Sequence, residues 1–203
     1  MKRLLLIFSV LFALILAALA TSGCISSVGK EYFQLYLPQN TTTAGDGENA
    51  YKIDKILLVE SVDVDAVYND YRIVYRTSPF HLNYYSYKYW IKKPEVLVKE
   101  STVDYFSKNN IFKKVVIGLA EGEPDLQLQA VVHIIEEYDR PDTWFAHLKM
   151  DIRIIDFKTG ELVLSHSFDR QRQLAARTIN HLPIAISGLL QEELDKLINK
   201  LTK

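Results

Sequence analysis

Among the residues able to do chemistry, the chain offers one cysteine, Cys24, and five histidines. His133, His147 and His166 fall in stretches where apolar and polar side chains alternate, the pattern of antiparallel strands with one wet face. Two neutral imidazoles and a carboxylate can hold zinc, and His133 and His147 could approach each other across a hairpin. The carboxylate is the missing part, because Asp139 and Asp142 belong to the intervening turn, so histidines on a wet strand face are the simpler reading. Pairing across Lys158-Thr159-Gly160 sets His166 opposite Asp151 or Arg153, depending on the turn register, and sets His147 near Arg170. Nucleophilic and phosphate chemistry have no motif either: there is no G-x-S-x-G, no H-E-x-x-H and no glycine-rich phosphate loop. The expectation is a protein that is not an enzyme, with no catalytic, metal or cofactor residue.

Cys24 has a chemistry of another kind. Met1-Lys2-Arg3 is followed by an apolar run from Leu4 to Ala20, interrupted only by Ser9, and then by Thr21-Ser22-Gly23-Cys24. A basic start, an apolar middle and small residues before a cut make a secretory signal peptide, here residues 1–23. The last four residues resemble the lipobox of bacterial lipoproteins, in which the thiol is acylated, for example with palmitate, and the cysteine becomes the new N-terminus. Thr21 departs from the usual leucine. An uncleaved transmembrane anchor and an ordinary signal peptide are the alternatives, but a lone thiol in an oxidising compartment has no disulfide partner, and acylation gives it a purpose. Cleavage would remove Lys2 and Arg3, taking the 24 basic residues to 22 against 25 acidic ones, a formal charge of −3 over residues 24–203. That balance gives no electrostatic footprint for nucleic acid. The mature length suits one domain over 31–203, following a lipidated leader at 24–30.

The elements that would carry a binding surface are legible in periodicity. Glu31 to Pro38 reads as a short strand, and 39–50 (QNTTTAGDGENA) as a flexible loop. Ile56-Leu57-Leu58-Val59 suits a central strand buried on both faces. Strands follow at Tyr71 to Thr77 and Phe80 to Tyr85, then a helix at about 94–107 with Pro94 in its first turn, then a strand from Ile111 to Ile117. Two long segments alternate: Leu126, Leu128, Ala130, Val132 and Ile134 share one face, as do Trp144, Ala146, Leu148, Met150, Ile152 and Ile154. A third strand runs from Glu161 to about Arg170. A final helix at about 182–201 carries Ile186, Leu190, Leu194, Leu197 and Leu201 in one stripe. The fold class is α/β, with a mixed, largely antiparallel sheet, long C-terminal hairpins and two main helices.

Two surfaces are candidates for a partner. One is the polar hairpin face around Gln129, Lys149 and Arg153. The other is a row of Tyr85, Tyr87 and Tyr89 in HLNYYSYKYW, because tyrosine brings large contact area at small entropic cost. Ordinary cross-strand packing is the simpler account of the tyrosines.

Across nearly the whole mature chain, the sequence resembles the ABC-type transport auxiliary lipoproteins, the PqiC-like family. The resemblance rests on Tyr36-Leu37-Pro38 after the lipobox, Ile56 to Val59, Arg72-Ile73-Val74-Tyr75-Arg76, Tyr89-Trp90 followed by Pro94, Pro124-Asp125-Leu126 and the Gly160 turn. It implies a periplasm-facing lipoprotein of the outer membrane, held there by its N-terminal lipid. Such a protein serves as a dock or accessory for an MCE-domain protein and its ABC permease in lipid transport. It transfers no catalytic residue; Cys24 alone carries over as the lipidation site. The oligomeric state, including a homo-oligomer, stays open. A different class, an outer-membrane assembly or cell-wall scaffolding lipoprotein, is the alternative.

Overall fold

The computed structural model describes residues 29–39 and 51–203. The signal peptide, Cys24 and the greater part of the expected loop at 39–50 lie outside the described residues.

The alternating segments become the backbone of the fold. Strand β6 (Leu126–Asp139) pairs antiparallel with β7 (Trp144–Asp156), which pairs antiparallel with β8 (Leu162–Gln173). Gly160, at φ 73°, makes the second turn in a conformation that favours glycine. The other edge of β6 is shared. Its first half pairs in parallel with β2 (Ile53–Val64), and its end pairs in parallel with β3 (Arg72–Ser78). The sheet therefore forks. One arm continues from β2 to β5 (Phe112–Val116), and the other runs from β3 to β4 (His81–Trp90) and to β1 (Glu31–Phe33). The result is a mixed eight-stranded sheet whose longest ladders are antiparallel.

Both helices lie on one face. Helix α1 (Pro94–Lys108) stops at Asn109-Asn110, where Asn110 takes φ 48°. Helix α2 (His181–Leu201) buries Leu182, Ile186, Leu190, Leu194 and Leu197 against the sheet. Beneath the helices, Leu57 and Val59 of β2, Leu128 and Val132 of β6, and Leu148, Met150, Ile152 and Ile154 of β7 are nearly or fully buried. Leu58 is also buried from the opposite face, as expected for a central strand. The Tyr105 hydroxyl of α1 donates to Asp195 of α2, tying the helices together.

Three sequence expectations shift, each because of an extra residue or a register. The first strand ends at Phe33, short of the expected Pro38, since Tyr36 instead turns its N–H to Ser187 of α2 at 3.0 Å. In β6 a bulge falls between Val132 and Ile134, so Ile135, not Ile134, faces Leu148 and the core. His166 stands opposite Ile152, which turns its ring under α2 and away from the wet face.

Candidate functional site

The sheet face away from the helices is largely polar because most alternate residues of β6, β7 and β8 are polar there, with Val131, Ile134 and Phe145 as apolar exceptions. Gln129 lies opposite Arg153, whose guanidinium donates to the side-chain Oε1 of Gln129 at 3.0 Å. Gln129 in turn donates to Glu60 at 2.7 Å, where β2 bulges. Lys149 lies opposite Asp169 across the β7–β8 ladder, its ammonium 3.4 Å from the carboxylate. Gln129, Lys149 and Arg153 thus share one face, as their spacing predicts. Between β2 and β8 this face forms a shallow groove of about 390 Å³, lined by Ser61, Asp63, Gln129, Asp151, Arg153 and Ser165. His133 contacts Asp151 at 2.9 Å, and bonds from Ser167 and His133 hold the Asp151 carboxyl below its usual range.

Near the fork the same face closes over a charged cluster. Glu136, with none of its side chain exposed, accepts bonds from Tyr68 at 2.7 Å and from Arg76 Nε at 2.7 Å. His147 Nδ1 lies 3.3 Å from Glu136, and its Nε2 lies 2.8 Å from Asp169. Burial alone would raise the Glu136 carboxyl; the bonds from His147, Arg76 and Tyr68 outweigh it and hold the group below its ordinary value. Burial likewise works to lower His147, but its two carboxylate partners keep its proton affinity raised. His133 and His147 therefore serve separate carboxylates. Among the described residues, no group of three metal-ligating side chains is assembled.

The next residue points the other way. Glu137, also fully buried, faces the helix side, where Tyr85 donates to its Oε1 at 2.9 Å. Its Oε2 has no partner among the described residues, and burial pushes the carboxyl up to about 7. The Tyr85 ring packs on Tyr75, with centroids 4.6 Å apart.

The expected row of Tyr85, Tyr87 and Tyr89 is broken. Between Tyr84 and Tyr89 the β4 register against β3 slips: Val74 faces Tyr84, and Arg72, two residues earlier, faces Tyr89. An odd number of residues then separates side chains on the same face, so Tyr85 and Tyr89 point to opposite faces. Tyr85 turns inward to Glu137. Tyr89 packs on Tyr32 of β1 and donates to the Ser86 carbonyl, and Tyr87 is exposed.

With this geometry in view, comparison with known proteins decides the family. The sequence model described as ABC-type transport auxiliary lipoprotein component matches residues 33–197. The chain belongs to that family. No curated protein matches it. Among solved structures, protein XCC0632 of Xanthomonas campestris superposes with a TM-score of 0.68 at 16% identity, over 83% of this chain and 91% of the other. An uncharacterized protein superposes at 0.66 and 16% identity, over 85% and 99% of the two chains. At these identities the likeness concerns the fold alone. Within the auxiliary lipoprotein fold, the sequence reading missed Glu136 and Glu137. Their signal was present as two consecutive glutamates directly after the apolar run Val131 to Ile135, interrupted only by His133.

Proposed function

We propose that this chain is a lipid-anchored accessory on the periplasmic side of the outer membrane. In this reading it acts by binding an MCE-domain protein and so joins that protein and its ABC permease to the outer membrane in lipid transport. The family match over 33–197 is the observation that carries the reading. The site geometry supports a binding role. Glu136, His147, His166 and Glu193 are buried and engaged with one another or with arginine, lysine and tyrosine, while Glu137 accepts from Tyr85 through one oxygen. The polar groove on the open sheet face is shallow and presents amide, hydroxyl and charged groups to a partner.

In this reading the chain does no chemistry of its own, Cys24 carries the acyl chains, and several chains together make the anchoring stable. Affinity isolation of the full-length protein from envelope extracts tests it. The expected result is recovery of an MCE-domain protein together with ABC permease components. Recovery of outer-membrane assembly or cell-wall components in their place would overturn the assignment.

A further inference from the structure

The way the chain enters β1 fixes which end of the domain the membrane anchor approaches. Strand β1 pairs in parallel with β4, with Glu31 opposite Lys88 and Phe33 opposite Trp90. Going backwards from Glu31, the chain therefore heads along β4 toward its start, the tight turn Pro79-Phe80 that joins β3 to β4. Seven residues separate Cys24 from Glu31, and seven separate His81 from Lys88. At about 3.4 Å per extended residue, each stretch reaches about 24 Å. The leader is therefore long enough to bring Cys24 level with this turn, and it starts in that direction.

At the apex of the turn stands Phe80, 97% exposed, the most exposed large apolar side chain among the described residues. A bare aromatic ring in water gains by insertion at a membrane interface. Because β3 runs parallel to β6, the β6–β7 turn at Arg140–Thr143 lies at the same end. Its charges and those of the neighbouring segment, Asp139, Arg140, Asp142 and Arg177, balance in sign, so apolar contact is the attraction this end offers. The opposite end also exposes apolar groups, Leu119 at 62% and Leu162 at 58%, but the chain entering β1 at Glu31 comes from the other side.

We propose that the end of the sheet bearing the β3–β4 turn faces the membrane, with Phe80 inserted among the lipid headgroups beside the acylated Cys24. The proposal rests on the lipidation of Cys24. It leaves the open polar face standing upright from the bilayer, available to a periplasmic partner.

Acylation of the only native cysteine leaves any introduced thiol unique, which makes the test direct. Phe80→Cys and Leu162→Cys, each in the mature acylated protein, are spin-labelled and bound to vesicles of phosphatidylethanolamine and phosphatidylglycerol. Accessibility to oxygen, which partitions into lipid, is compared with accessibility to an aqueous nickel chelate. The expected result is a several-fold higher oxygen-to-nickel ratio at position 80 than at 162, with mass spectrometry showing acyl chains on the N-terminal peptide. An acylated protein whose label at 162 enters the bilayer, or whose label at 80 stays aqueous, overturns the orientation alone. A peptide without acyl groups overturns the premise that it shares with the proposed function.

Discussion

Glu136 and Glu137 are consecutive, both fully buried, and turned to opposite faces of β6. Each takes hydrogen bonds from the arm of the sheet that carries β3, β4 and β1: Arg76 and the Tyr68 loop hold Glu136, which His147 of β7 also meets, and Tyr85 holds Glu137. Backbone pairing between β3 and β6 covers only Tyr75 with Glu137 and Arg76 with Tyr138. The two carboxyls therefore clamp this arm from both sides at the point where its backbone attachment is shortest.

Glu136→Ala should destabilise the protein by about 3 kcal/mol, because it strands the Arg76 guanidinium and His147 in a closed site. Urea unfolding followed by circular dichroism measures the loss. An unchanged midpoint would mean that the arm is held by apolar packing alone.

Glu137 should make stability fall as pH rises. Its folded proton affinity is raised, so between about pH 4.5 and pH 7 the unfolded chain ionises while the folded one keeps its proton, and stability falls as pH rises through this window. With each unit worth about 1.4 kcal/mol, the cost above pH 7 is on the order of 3 kcal/mol. Glu137→Gln keeps an acceptor for Tyr85 and removes the charge, so it should raise the melting temperature at pH 8 and have little effect at pH 4.5. Equal effects at both pH values would contradict the buried-acid reading.

His147 contributes with its own sign. Its raised affinity, sustained against burial by Glu136 and Asp169, gives stability that is fully present below about pH 6.5 and is lost as pH rises through the folded value. Arg76 and Lys149 are the other charged groups that face this cluster. His147→Gln should flatten the stability profile above pH 6.5, which thermal melts at half-unit pH steps would reveal.

The tyrosines separate packing from recognition. Tyr85→Phe should cost about 1–2 kcal/mol of stability by leaving Glu137 without its donor. Tyr87→Ala, at an exposed site, should move the melting temperature little. If Tyr87 anchors a partner, its loss appears instead as on the order of 2 kcal/mol of binding.

Much of the fold was legible because its elements have clean periods. Ala146 to Ile154 alternates without interruption and becomes most of β7, and Pro94 and Asn109-Asn110 bracket α1 as local turn chemistry demands. What the sequence hid were single-residue irregularities. The bulge after Val132 moves Ile135 into the core and sends Glu136 and Glu137 to the faces they occupy; no propensity marks it, because it is set by pairing with β7. The slip in β4 broke the tyrosine row for the same reason, and the register across Gly160 decided that His166 lies under α2 beside Glu193. Gln129, Lys149 and Arg153 were found together because Lys149 and Arg153 share the unbulged strand β7 and Gln129 faces Arg153 ahead of the bulge in β6.

On the proposed function, the protein works by binding an MCE-domain protein, with the open sheet face as the contact. Surface plasmon resonance between the acylated protein on a lipid-coated chip and the purified periplasmic part of that MCE protein tests it most directly. The prediction is saturable binding by the wild type and marked weakening by Lys149→Glu combined with Arg153→Glu, with the melting temperature unchanged, since exposed substitutions usually shift stability by no more than about 0.5 kcal/mol. Wild-type protein that is folded and acylated but gives no saturable signal would contradict the claim.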